Sequence, residues 1–185
     1  FYGDDYPANV YPWAQLETKG VRPIPMQPDV PGHITWETVE AHLSSRTRLV
    51  ALASSHFLSG RRIDIDTIGQ KLHERGILFC LDAIQSVGAF PVSVEHVDFL
   101  SADAHKWMLG PCGAGIFYVD RRLHDDLEPA LLGSWNVQSP DFIAQSTMAW
   151  ESGGRRYEPG TLNMPGILGM ASALEWLASF GIQAI

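Results

Sequence analysis

The run Phe99-Leu100-Ser101-Ala102-Asp103-Ala104-His105-Lys106-Trp107, closed by the turn Gly110-Pro111-Cys112-Gly113, constrains this chain more than any other stretch. An apolar segment from Val97 to Ala102 breaks off into polar residues and a lysine, which predicts a buried strand whose carboxyl end delivers Lys106 to a crevice. Open α/β sheets bind their ligands at that edge. A second apolar run, Ile77-Leu78-Phe79-Cys80-Leu81, ends in Asp82-Ala83-Ile84-Gln85-Ser86. Two adjacent parallel strands would project Asp82 and Lys106 from the same edge of one sheet.

The chain has three lysines, Lys19, Lys71 and Lys106, and only Lys106 sits among apolar and aromatic residues. An exposed lysine titrates at about 10.4, and burial lowers that by roughly 3 units or more in the extreme. A neutral amine in such a place forms Schiff bases. A carboxylate facing a lysine across a crevice suits pyridoxal phosphate: the lysine holds the aldehyde, and the carboxylate keeps the pyridine nitrogen protonated so that the ring draws electrons from the substrate. The plainer alternatives are a lysine that closes a strand and snorkels to water, and an aspartate that caps a turn.

Three segments together resemble a known family. Asp82-Ala83-Ile84-Gln85, His105-Lys106-Trp107 with Gly110-Pro111, and Tyr157-Glu158-Pro159-Gly160-Thr161 look like the class V aminotransferase group of fold-type I pyridoxal phosphate enzymes. Within it, the branch holding cysteine desulfurases and isopenicillin N epimerase-like proteins is the most similar. The resemblance runs over essentially the whole chain. It implies an α/β fold with a mostly parallel sheet and flanking helices, with residues 1–185 forming an incomplete large domain that lacks an amino-terminal segment and a carboxyl-terminal small domain. Phe1 as first residue, and a stop at Ile185 just past a helix, fit an excised piece of a larger protein.

The resemblance also implies roles. Lys106 would be the Schiff-base lysine and the acid/base that moves the α-proton, Asp82 the partner of the pyridine nitrogen, Gln85 a donor to the ring oxygen, and Tyr6 the stacking residue. His105 would hold phosphate, with Thr161 reaching the phosphate of a second subunit, so that a homodimer shares its active sites. The candidates for phosphate contact are His105, Thr161, and Ser101 or Asp103. A carboxylate repels a phosphate unless a donor or cation intervenes, so Asp103 is expected to turn toward His105 or a backbone amide.

The substrate would be an amino acid, and the reaction a class V transamination. The alternatives are desulfuration of cysteine, epimerisation on the same fold, or a scaffold module that keeps the fold without the chemistry. Desulfurases carry an asparagine about where this chain has Phe57, and neither Cys80 nor Cys112 is placed like a persulfide carrier. Arg61, Arg62, Arg155 and Arg156 are candidates for a substrate carboxylate, with none assigned.

A formal net charge of -8 argues against a nucleic-acid partner. Two cysteines give neither a disulfide framework nor a zinc pattern, which fits a reducing, cytoplasmic compartment. No apolar run approaches membrane-spanning length. Gly110 to Gly115 is glycine-rich but precedes a strand, so it reads as a turn and not a dinucleotide loop.

Along the chain, the pattern predicts a strand tail over 1–3, a helix from about Asn9 to Lys19, an edge strand over 21–26, and a helix capped by Thr35. Further elements are a strand over 49–53, a helix started by Asp64 or Asp66 and stopped by Gly76, and an antiparallel strand over 115–119. A helical stretch over 124–132, a long loop over 133–156, and an amphipathic helix over 164–180 with Ile167, Leu168, Ala171, Leu174 and Leu177 inward complete it. His56 and Ser59, beyond the 49–53 strand, are further candidates for cofactor or substrate contact.

Overall fold

The computed structural model describes residues 1–185, the side chain of Pro140 excepted. Four strands form one sheet in the order β1-β2-β3-β4: β1 (Leu49–Ala53), β2 (Leu78–Asp82), β3 (Phe99–Asp103) and β4 (Gly115–Val119). The first three run parallel, with Ala53 level with Asp82 and Asp82 level with Ser101, and β4 returns antiparallel with Gly115 beside Asp103. The carboxyl ends of three strands and the amino end of the fourth therefore meet along one edge.

Between β1 and β2 lies α3 (Ile65–His73). Its start is Asp64, whose side chain accepts the Thr67 N–H at 3.0 Å. An N-cap aspartate of this kind satisfies one of the orphan donors of the first turn. Ile68 and Leu72, one turn apart, are fully buried against a core of Phe79, Leu81, Val97 and Val39. Gly76 ends the segment at φ +66, in the left-handed region that favours glycine. A short helix, α2 (Trp36–Glu40), capped by Thr35, adds Trp36 and Val39 to the same core.

Several expected elements differ. The 9–19 helix is broken into a 3-10 turn (Pro7–Asn9), α1 (Tyr11–Gln15) and a second 3-10 turn (Leu16–Lys19), since Pro12 suits only the first turn of a helix and Gly20 closes the segment at φ +79. The 1–3 and 21–26 strands reduce to a single parallel bridge between Tyr2 and Met26, because Pro23 and Pro25 supply no N–H to a ladder. Residues 124–132 are not helical beyond the 3-10 turn Arg121–Leu123, with Pro129 again lacking a donor.

The closing helix, α4 (Met164–Phe180), has its expected bounds but not its expected faces. Gly166 and Leu177 are buried and Leu174 partly so, while Leu168 and Ala171 are exposed along with Met164, Trp176 and Phe180. Its residues are apolar nearly all round, so the pattern could not single out one stripe. Within the 133–156 loop, a bridge joins Val137 to Trp150. The fully buried Asn136 ties the loop down by donating to the Leu131 and Arg156 carbonyls and accepting from the Gly133 N–H.

Candidate functional site

A cleft of about 510 Å3 opens at the edge where the strands meet. Ala53 of β1, Asp82 of β2, Ser101 to Asp103 of β3 and Gly115 to Phe117 of β4 form its floor and one wall. The loop of Asp5, Tyr6, Ala8 and Asn9 also lines it, as does Phe57. Ser55, Ile84, Gln85, His105 and Lys106 complete the lining.

Lys106 does not stand on β3 itself but three residues beyond it, in a tight turn. Ala104 N–H donates to the Ala114 carbonyl at 2.9 Å and Gly110 N–H to the Ala104 carbonyl at 2.8 Å, so the turn is clamped at both ends. Leu109 takes φ 55, a left-handed conformation that an L side chain rarely adopts. The loop after β2 packs directly on this turn. Gly88, at φ +93, lies so close that a Cβ there would collide with the Trp107 carbonyl. Lys106 and the Asp82–Gln85 segment are thus fixed relative to one another by backbone contact.

The Asp82 carboxylate is half-buried, accepting the Ile84 N–H on Oδ1 at 2.9 Å and Asn9 Nδ2 on Oδ2 at 2.7 Å. Each oxygen keeps a lone pair for a ligand donor. Gln85 Oε1 accepts the Trp107 indole N–H at 3.2 Å, and since an indole nitrogen only donates, the Gln85 NH2 is left to donate elsewhere. Lys106 Nζ lies 5.9 Å from the centroid of the Tyr6 ring, within cation–π range, and the Tyr6 ring meets Phe57 edge-on at 5.6 Å. The lysine forms no ion pair among the described residues.

At the β3 end, His105 Nδ1 stands 3.8 Å from Asp103 Oδ2, with both side chains substantially exposed. The expected turn of Asp103 toward its neighbouring histidine is what the structure has, at the long end of ion-pair range. Thr161 is exposed and outside the cleft. Of the six residues singled out from the sequence, five line one cleft and one does not.

His56 and Ser59 are directed elsewhere. His56 is buried, its Nδ1 paired with Ser59 Oγ at 2.9 Å and its Nε2 with the Asp4 carbonyl at 3.2 Å, so both are committed to holding the loop. The four arginines also stay out of the lining: Arg62 covers the Phe90 ring at 3.5 Å, Arg155 donates to the Trp135 carbonyl, and Arg156 reaches Asp125 at 3.9 Å.

Asp5 and Asn9 belong to the site and were not singled out from the sequence. Asp5 is buried, and burial first, then the Asp82 charge, pushes its carboxyl above the usual range, against the opposing pull of the Tyr6 N–H, His56 and Asn9. Neither Cys80 nor Cys112 lines the cleft. Burial, with Asp82 adding to it, pushes the Cys80 thiol up to about 11, which leaves it protonated and inert. Among the described residues no cluster of metal-ligating side chains occurs, and no helix is long and apolar enough to cross a membrane.

Comparison with known proteins follows the same outline. A probable cysteine desulfurase of Methanothermobacter thermautotrophicus is 30% identical over 183 residues, which are 98% of this chain and 45% of that protein. A cysteine desulfurase of Escherichia coli is 30% identical over 186 residues, again 98% of this chain and 45% of the relative. The chain thus spans less than half the length of these curated relatives. Among solved structures, the apo cysteine desulfurase of Thermococcus onnurineus superposes with a TM-score of 0.86 at 27% identity, over 95% of this chain and 44% of the other. A cysteine desulfurase of Escherichia coli in its S-sulfonic acid form gives 0.82 at 25% identity, covering 96% and 44%. The family model described as aminotransferase class-V matches residues 2–185. With a match over nearly its whole length, this chain belongs to the aminotransferase class-V family.

Proposed function

We propose that residues 1–185 form the cofactor-binding large domain of a pyridoxal phosphate enzyme that acts on an amino acid through Lys106. The observation that carries this reading is the convergence of an amine, an anchored carboxylate, an amide donor and an aromatic ring on one cleft of about 510 Å3, at the edge where parallel sheets bind ligands. The donor set fits the group: Lys106 would hold the aldehyde carbon, Asp82 the ring nitrogen, Gln85 the ring oxygen, Tyr6 a ring face, and His105 the phosphate. When bound, pyridoxal phosphate acts as an electron sink for charge developing at the substrate α-carbon.

The chain's own residues do the rest. Asp82, held on both oxygens, keeps a proton at the ring nitrogen without having to reorient, the preorganised arrangement that makes electrostatic stabilisation effective. As a free amine beside Tyr6, Lys106 Nζ would be the group that takes and returns the α-proton. Phe57, Ile116 and Phe117 give the cleft an apolar side. Thr161, exposed and outside the cleft, is available to a second copy, which supports a homodimer with shared sites. The near absence of cysteine supports a cytoplasmic setting in the same proposal.

Class V transamination is the leading reaction, and desulfuration of cysteine the second reading, favoured by the names of the relatives. Against the second stands Phe57 in the lining, where desulfurases carry an asparagine. In the intact protein, addition of pyridoxal phosphate is expected to give a visible absorption band, and borohydride reduction a label on Lys106 that Lys106→Ala abolishes. Scattered labelling on Lys19 and Lys71 would refute the reading and leave a scaffold that shares only the fold. Formation of alanine from L-cysteine by the cofactor-loaded, unreduced protein, with the sulfur released as sulfide by an added thiol reductant and without amino transfer to a keto acid, would select the second reaction.

A further inference from the structure

The Asp82 carboxylate is not held by its own turn alone. The bond from the Ile84 N–H is local, the usual one for an aspartate leaving a strand, whereas the bond from Asn9 Nδ2 spans 73 residues of sequence. At 2.7 Å it lies at the short, charge-assisted end for an N–H donor. Asn9 also stands beside Asp5, a buried carboxyl whose elevation Asn9 opposes and Asp82 reinforces. The amide that bonds Asp82 is thus also within reach of a second acid.

The loop does not need this side chain to keep its shape. Asn9 N–H already donates to the Tyr6 carbonyl at 2.7 Å, Val10 N–H to the Pro7 carbonyl at 3.1 Å and Ala14 N–H to the Val10 carbonyl at 3.0 Å. Tyr2 and Met26 tether the segment upstream through their bridge. The Asn9 amide is thus free of backbone duties, and its donor is spent on Asp82.

Resting on the reading of the cleft as a pyridoxal phosphate site, we propose that Asn9 is a positioning residue for Asp82: its amide fixes the plane of the carboxylate, so that Asp82 meets the ring N–H as an aimed acceptor. Asn9 touches neither the reacting carbon nor the migrating proton. Its contribution passes through Asp82 and appears wherever the ring-nitrogen proton matters.

The test compares the intact parent protein with Asn9→Ala, Asn9→Asp and Asp82→Asn, each titrated with pyridoxal phosphate and followed by visible absorption. The pH midpoint of the bound band and borohydride labelling at Lys106 are recorded for each. Asn9→Ala is expected to weaken cofactor binding about tenfold, the loss of one charge-assisted bond, and to move the pH midpoint in the direction that Asp82→Asn moves it. Asn9→Asp keeps the shape but replaces the donor by a third carboxylate, and is expected to do both more strongly. Weaker binding with the parental pH midpoint would mean that Asn9 merely tethers the loop, and overturns the proposal. So would unchanged behaviour, or a loss of folding in both Asn9 variants. A parent that is not labelled at Lys106 refutes the cofactor reading and this inference with it, whereas a labelled parent with indifferent Asn9 variants refutes the inference alone.

Discussion

Asp82 and Asp98 sit at opposite ends of neighbouring strands, and the contrast between them separates a carboxylate used up by the fold from one that faces an open cleft. Asp98, just before β3, is fully buried, and accepts His73 Nε2 at 2.9 Å, the Phe79 N–H at 2.7 Å and Arg122 Nη2 at 3.1 Å. Its acceptor capacity is taken up by the protein. Asp82, just inside the end of β2, is half-buried, has two donors, and turns its remaining lone pairs to an open cleft. Under-satisfied polar groups in a rigid setting are where ligands bind; fully satisfied ones specify structure.

The largest test of this contrast is Asp98→Ala. Removing the carboxylate leaves the Phe79 N–H buried without a partner, strips His73 of its partner and leaves Arg122 with Asp120 alone, at a cost of about 3 kcal/mol in unfolding free energy. Urea denaturation of the parent and variant measures it. A loss below about 1 kcal/mol would show that the three bonds to Asp98 contribute little beyond what water replaces.

Gly88→Ala probes the frame between the two ends. A methyl group there meets the Trp107 carbonyl while the backbone is held at φ +93, and the two effects together are expected to cost about 2 kcal/mol. The displaced turn carries Lys106, so cofactor binding should weaken as well. A variant that loses stability but binds cofactor at the parental affinity would show that the turn and the Asp82 loop move independently.

Asp5 lies between the extremes: buried like Asp98, but accepting from a single backbone donor, the Tyr6 N–H at 2.7 Å. Its carboxyl is raised, mainly by burial, so the folded state holds a proton that the unfolded chain has already released. Between the ordinary carboxylate value and the raised one the folded form binds more protons, and stability falls as pH rises through that window. Asp5→Asn removes the titration while keeping an acceptor for Tyr6. It is expected to flatten this part of the stability profile and to make the protein more stable than the parent at neutral pH, as denaturation at a series of pH values would record. A parental profile that does not fall there would contradict the assignment.

The sheet was largely legible in the sequence because its strands are short apolar runs with sharp polar ends, and Asp64 and Gly76 mark α3 by local rules that packing did not override. Tyr6, Asp82, Gln85, His105 and Lys106 stand at such ends or in such loops, and the sheet's edge collects them. Asp5 and Asn9 escaped because their significance lies in contacts across the fold: nothing in a loop reading Asp-Asp-Tyr-Pro-Ala-Asn says that its last residue will bond an aspartate 73 positions on. The burial faces of α4 were misread for the opposite reason, since an apolar residue at almost every position leaves no stripe to read.

The smallest expected effect completes the contrast. Asp82→Asn keeps an oxygen to accept the Ile84 N–H and removes a charge that Asp5 feels as repulsion, while the pairing with Asn9 requires only a rotation of one amide. The gain from relieved repulsion and the loss of one charge-assisted bond nearly offset, so unfolding free energy should change by less than about 0.5 kcal/mol. If Asp82 is the acceptor for the ring proton, as proposed, cofactor binding should suffer where stability does not. If instead Asp82→Asn destabilised the apo protein as much as Asp98→Ala, Asp82 would be a structural carboxylate. Its lone pairs toward the cleft would then be an accident of the loop, and the reading of this edge as a binding site would lose its principal support.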